Sequence, residues 1–161
     1  HAERILTVAY NARGALITIR NAYAPEQELA NARQSLAQAA AAYGREMYAP
    51  RRAVVQAQVT LLRINNFDNE QRALIACIPV SRALFGQELE EALMSLHEQF
   101  NEIGIAAAAF GTDNEEDLEH NAKLRRLIWA PHNLADQSEI SAAIVRSFGV
   151  IDRICSNELR H

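Results

Sequence analysis

Glycine and proline are scarce in this chain of 161 residues, at six and four, and aromatic side chains make up only 6% of it. With those residues rare and alanine and the aliphatics abundant, helix formers dominate the composition. Cysteine is nearly absent too. Cys77 and Cys155 are the only two, they belong to no C-x-x-C pair, and each sits among apolar neighbours. That excludes a disulfide framework and a cysteine zinc site, and reads as two small buried hydrophobes in a reducing compartment. A single disulfide between them stays open at this level. Lysine is reduced to Lys123, so fifteen of the sixteen basic residues are arginine. This bias, with the alanine load, points to a bacterial genome poor in A and T. An excess of positive charge is also missing. A net charge of -4 and a pI near 5.7 remove the electrostatic footprint of a phosphate-backbone binder, so no nucleic acid is expected as a partner. No window approaches the roughly 18 to 20 apolar residues of a membrane span, and no signal peptide is legible.

What the chain does have is helical periodicity. Between Gln87 and Phe110 the apolar residues Leu89, Leu93, Leu96, Phe100, Ile103, Ala107 and Phe110 alternate steps of four and three, the seam of an amphipathic helix. From Ile103 onward the run IGIAAAAF is apolar on every side, which places this helix at the centre with neighbours all round.

Before it, a first helix is expected from about Ala2 to Tyr23, with Ile5, Val8, Ala12, Leu16 and Ile19 on one stripe and Arg13 and Arg20 off it. Gly14 weakens that helix by about 1 kcal/mol unless it admits a close neighbour. Ala24-Pro25 stops the chain and opens a second helix carrying Leu29, Ala32, Leu36, Ala40, Tyr43 and Met47. At Pro50 this helix is expected to kink or break with its direction roughly preserved, continuing through Val54, Val55, Leu61 and Leu62. Asp68 and Gln71 resemble a capping box. The helix they open has Leu74, Ile75, Cys77 and Ile78 as core, is bent or ended by Pro79, and closes at Gly86.

After the central helix, Gly111 ends it and Thr112 with Glu115 forms another capping box. The acidic run from Asp113 to Asp117 and the basic Lys123, Arg125 and Arg126 suit the two ends of the next helix. Trp129 to Gln137 is a loop in which Trp129 closes the bundle end, and Ser138 or Asp136 caps a last helix through Ile140, Ile144, Phe148, Ile151 and Ile154. The expectation is one all-α domain over residues 1–161: an antiparallel up-and-down bundle of about five or six helices, the second kinked or broken at Pro50.

Motifs for chemistry are thin. A di-iron carboxylate bundle needs two Glu-x-x-His pairs, and Asp117 with His120 is one near-match without a second. A calcium loop counted from Asp113 puts Leu118 and Leu124 where glycine and glutamate are needed. No nucleophile elbow, phosphate loop, dinucleotide fingerprint or H-E-x-x-H is present. Arg51-Arg52 and Arg125-Arg126 are pairs and not a patch. The one polar stripe is Glu90, His97 and Asn101, at intervals of seven and four along the rim of the central seam, a pattern that suits a small polar ligand or a proton-accepting histidine. No metal and no cofactor is expected.

Four phrases, ARGALITIRNAY (12–23), VSRALFGQELEEALMSL (80–96), FNEIGIAAAAF (100–110) and IDRICSNELR (151–160), resemble a group of uncharacterised bacterial proteins in which a helical region follows a short hydrophobic N-terminal segment. The resemblance implies no activity or cofactor. It implies a cytoplasmic domain tethered to a membrane upstream of His1, while Pro50 departs from the group's uninterrupted second helix. The function expected is a non-enzymatic interaction or scaffold module, with a protein partner or self-association as a homodimer. The alternative is a ligand-sensing or catalytic bundle built on the rim around His97. Surplus apolar surface for a dimer is expected on Val54 to Leu62 or Ile103 to Phe110.

Overall fold

A computed structural model describes residues 1–44, 49–112, 118–130 and 138–160. Seven helices, and no strand, organise the described residues: α1 (Ala2–Ile19), α2 (Glu26–Ala42), α3 (Arg52–Asn66), α4 (Asp68–Phe85), α5 (Gln87–Thr112), α6 (Leu118–Ile128) and α7 (Glu139–Glu158). The fold is all-α, packed helix against helix, with more helices than the five or six expected.

Helix α5 is the hub, touching α1, α3, α4, α6 and α7. Every residue of its seam, from Leu89 to Phe110, is buried. Around that seam lies the main core, to which α1 contributes Ile5, Ala9, Ala12, Leu16 and Ile19, and α7 contributes Ile140, Ile144, Phe148 and Ile151. A second cluster joins Ala57 of α3 to Phe110, Leu124 and Ile128. Trp129 meets Phe110 edge-on with ring centroids 5.6 Å apart, closing that cluster. The run after Ile103 is less enclosed than its composition implies. Ile105 is 70% exposed and Ala108 faces solvent, because alanines cost little when hydrated and the neighbours cover only the seam side.

Two turns differ from expectation for identifiable reasons. Helix α2 ends at Ala42, and Gly44 follows with φ of 71°, a left-handed conformation that glycine adopts without a Cβ clash. Pro50 then lies outside both helices. Gln58 reaches Ser35 while Arg63 reaches Glu28, so α3 runs back along α2 and the direction reverses. Alanine-rich 37–42 gave no warning of a stop. Pro79, by contrast, neither ends nor divides α4. The carbonyl it leaves without a donor belongs to Ile75 on the solvent side, where water can serve it. Gln71 does not complete a capping box; its amide donates to the carbonyls of Ile64 and Phe67, binding α4 back to α3. Ser138 caps α7 as expected, accepting from the Ser141 backbone N–H at 3.2 Å. Met47, the run from Asp113 to Asp117, the Thr112–Glu115 box and Asp136 lie outside what can be described.

Candidate functional site

The polar rim comes from the outer edge of α5. Glu90 is half-buried and accepts a hydrogen bond from Arg82 of α4 at 2.7 Å, an ion pair that closes the α4–α5 hairpin at Gly86. Gly86 itself turns with φ of 86°. His97 is half-buried, its ring 6.5 Å from that of Phe100. Asn101 faces solvent. The three share a side of the helix by their spacing, and no contact among them is seen that would assemble a site.

Two buried arginines were missed because a charge at a helix end reads as solvated, although each continues a buried face, Arg20 four residues after Leu16 and Arg63 four after Val59. Arg63, in the last turn of α3, is 6% exposed. Its Nε and Nη2 sit 2.9 and 2.6 Å from Glu28 Oε2. Nη1 donates to the carbonyls of Thr18 and Asn21, and Nη2 to that of Tyr23. The guanidinium thus completes the end of α1 and the turn into α2, where carbonyls lose their helical partners.

Arg20, at the end of α1, is 2% exposed. Nη1 donates to Ser141 Oγ at 2.7 Å, and Nη2 to Ser138 Oγ at 2.8 Å and to the carbonyls of Arg126 and Trp129 at 3.1 and 3.3 Å. Its own carbonyl accepts from Ala130 N–H. Among the described residues no carboxylate pairs with it and its Nε has no partner. Burial therefore pulls its pKa down from 12.5 to about 10. One side chain in this way ties α1 to the end of α6 and the start of α7.

Cys77 and Cys155 are free thiols buried in the main core. Burial raises the pKa of Cys77 despite nearby Arg4. It raises that of Cys155 to about 11, helped by Asp152 and by Cys77 itself, so the two thiols are close enough to influence one another. Both stay protonated and unreactive at neutral pH. At the α5–α7 contact, Ser147 donates to Ser95 Oγ at 3.0 Å, and Gln99 donates to the Ser95 carbonyl. Gln99 Oε1 is buried there without a partner among the described residues. Among the described residues no three His, Cys, Asp or Glu side chains converge as metal ligands. Two cavities among the described residues are open to solvent: a 130 Å³ cleft between α1 and α4 lined by Val8, Asn11, Asn69, Glu70 and Ala73, and a 580 Å³ hollow edged by the exposed side of α6, with Glu119, His120, Lys123 and Arg126.

The feature least expected of a solvated helix is on α4. Ile75, Ala76, Pro79, Val80, Ala83 and Leu84 all face solvent, Ile75 at 47% and Leu84 at 54% exposure. Between Arg72 and Gly86 the exposed positions of this helix hold one polar residue, Arg82, and that is paired with Glu90. An amphipathic helix should show charge here. The core side of α4 is complete without these residues, since Leu74, Cys77 and Ser81 fill it. Ile75, expected in the core, is displaced from it by the pitch of the helix. The surplus surface expected on α3 is not found at Val54, Val55 and Val59, which are buried, while the Ile103 to Phe110 stretch exposes Ile105 and Ala108. The unbroken run LIACIPV (74–80), apolar around the whole helix, was the available signal.

No family model, curated protein or solved structure matches this chain. No helix of the described residues is long and apolar enough to cross a membrane.

Proposed function

We propose that the chain is a non-enzymatic helical interaction module, and that its working surface is the solvent face of α4. The observation that carries this reading is the unbroken apolar character of Ile75, Ala76, Pro79, Val80, Ala83 and Leu84 at exposed positions. Isolated exposed aliphatics are ordinary. A contiguous strip on one helix marks a contact surface, because hydrating it costs about 25 cal/mol per Å² that a partner would recover. The scaffold behind it, which we read as an up-and-down antiparallel bundle, holds the strip rigid through α1 and α5. On the resemblance noted above, the module acts in the cytoplasm of a bacterium, tethered upstream of His1.

The test is a photoreactive residue in place of Val80, introduced in the native host, with irradiation of intact cells. Covalent adducts to protein are expected at position 80 and not at Asn101 on the rim of α5. If irradiation yields only the uncrosslinked chain at both positions, the face has no protein partner and the reading fails.

A further inference from the structure

We propose that the first turn of α7, with Arg20 beneath it, is a binding site for a small oxyanion, a phosphate or sulfate group. The warrant is an excess of donors over acceptors around an uncompensated charge, and it is independent of the α4 face. Arg20 is 2% exposed and is aimed into that turn, with Nη1 2.7 Å from Ser141 Oγ and Nη2 2.8 Å from Ser138 Oγ. A hydroxyl has two lone pairs and one proton. The lone pairs of Ser138 Oγ are taken by Arg20 and by the Ser141 N–H, so its proton goes to Ser141 Oγ, 3.1 Å away. That bond and the one from Nη1 fill the lone pairs of Ser141 Oγ. The Ser141 proton is then left without an acceptor in the set, and among the described residues Arg20 Nε has no partner either. What is wanting is an acceptor.

The acceptor that fits is an anion. Among the described residues no carboxylate meets Arg20, and its two carbonyl partners, those of Arg126 and Trp129, offer only partial charge. The N-terminus of α7 adds about half a positive charge, and the N–H groups of Glu139 and Ile140 stand in its first turn, where no helical carbonyl reaches them. Arg125 and Arg126 lie in the last turn of α6, whose end Arg20 touches. The exposed Glu139 is two positions from Ser141 and so on another side of the helix. Ser138 and Ser141 are half-buried. The anion therefore reaches their outer side from solvent, while Arg20 acts from below by polarising both hydroxyls through the bonds it donates to them. Donors spread over a hydroxyl and two backbone N–H groups suit several oxygens on one centre better than a single halide. With one guanidinium and one helix end to hold it, the ion binds weakly, with a dissociation constant of about 5 mM.

Thermal unfolding of the whole chain in sodium phosphate, sodium sulfate and sodium chloride of equal ionic strength tests this. Phosphate and sulfate stabilise any fold by exclusion from its surface, so the readout is the part of the gain that is lost on substitution. At about 50 mM phosphate, ten times the expected constant, that part should be about 3 to 5 °C in Tm. It should vanish in Ser141→Ala, which suits a helix, and in Arg20→Met. Arg146→Ala, exposed farther along α7, should keep it, and chloride should not produce it. Amide spectra place the ion: the resonances of Glu139, Ile140 and Ser141 should move saturably with phosphate. Glycerol 3-phosphate separates the sources of the group, since equal binding assigns a phosphate ester and rejection assigns the free ion. A gain that survives either Ser141→Ala or Arg20→Met in full, or amides of the α7 first turn that do not respond to phosphate, overturns the proposal.

Discussion

Two arginines, Arg20 and Arg63, are buried at the same end of α1, yet they are solved differently. Arg63 carries its charge against a carboxylate, Glu28, and spends its remaining donors on three backbone carbonyls. Among the described residues Arg20 meets only neutral acceptors, two serine hydroxyls and two carbonyls. Glu28 is 40% exposed at its side chain, so the first pair keeps one foot in water and avoids most of the desolvation that burdens a sealed ion pair. Arg20 has no such relief, and its lowered pKa records the cost. The comparison teaches that burial alone says little about what an arginine contributes. The partner set decides, and loss of the paired one should hurt more.

The largest effect is expected from Arg63→Met. It strands the Thr18, Asn21 and Tyr23 carbonyls and should cost about 3 kcal/mol of unfolding free energy in urea titration, the lower end for a broken buried pair because Glu28 can rehydrate. Arg20→Met removes a charge that, among the described residues, has no carboxylate to leave behind, and Ser138 and Ser141 retain each other at 3.1 Å. A loss of about 1 kcal/mol is expected by the same measurement. Equal losses would break the comparison.

Alkali sharpens it further. With a folded pKa near 10 and an ordinary value of 12.5, the unfolded chain holds more protons between those values, so stability rises with pH there and the full penalty stands below pH 10. Between pH 9 and 11 the wild type should gain about 1 kcal/mol relative to Arg20→Met. A flat difference would mean that the guanidinium keeps its ordinary pKa in the fold.

The smallest effect concerns the helix both arginines hold. A Cβ at Gly14 would meet nothing within 4 Å, so Gly14→Ala should stabilise α1 by about 0.5 to 1 kcal/mol in thermal unfolding, equally in the wild type and in Arg63→Met. An unequal gain would show that Arg63 acts along α1 and not only at its end.

Much of this fold is readable from periodicity. The seam of α5, the stripe of α1 and the cap at Ser138 follow from spacing and side-chain chemistry, because a repeating apolar face has one way to be buried. What periodicity cannot see is a residue whose burial is decided by tertiary partners. Arg20 and Arg63 look like solvated charges until the carbonyl ends of α1 and α6 are placed beside them. The reversal at Gly44 was hidden because Pro50 is the louder signal, and the continuity of α4 through Pro79 because tolerance depends on which side the freed carbonyl faces. As for the site, Glu90, His97 and Asn101 are placed on the rim by their spacing, but spacing cannot report that Glu90 is already engaged by Arg82. The α4 face was legible as an apolar run and not as an exposed one, since sequence gives the width of a stripe and not how much of it the core can take.

The locks around Arg20 and Arg63 also set an order of events during synthesis. Residues 18 to 23 leave the ribosome long before Arg63, whose donors they need, and Arg20 waits for Arg126, Trp129, Ser138 and Ser141. Since α1 rests on α7 as well as on α4, the first helix made is seated by the last. Chains stalled before residue 138 must carry the stripe of Ile5, Ala9, Leu16 and Ile19 without its final neighbour, and there a nascent-chain chaperone would find its target.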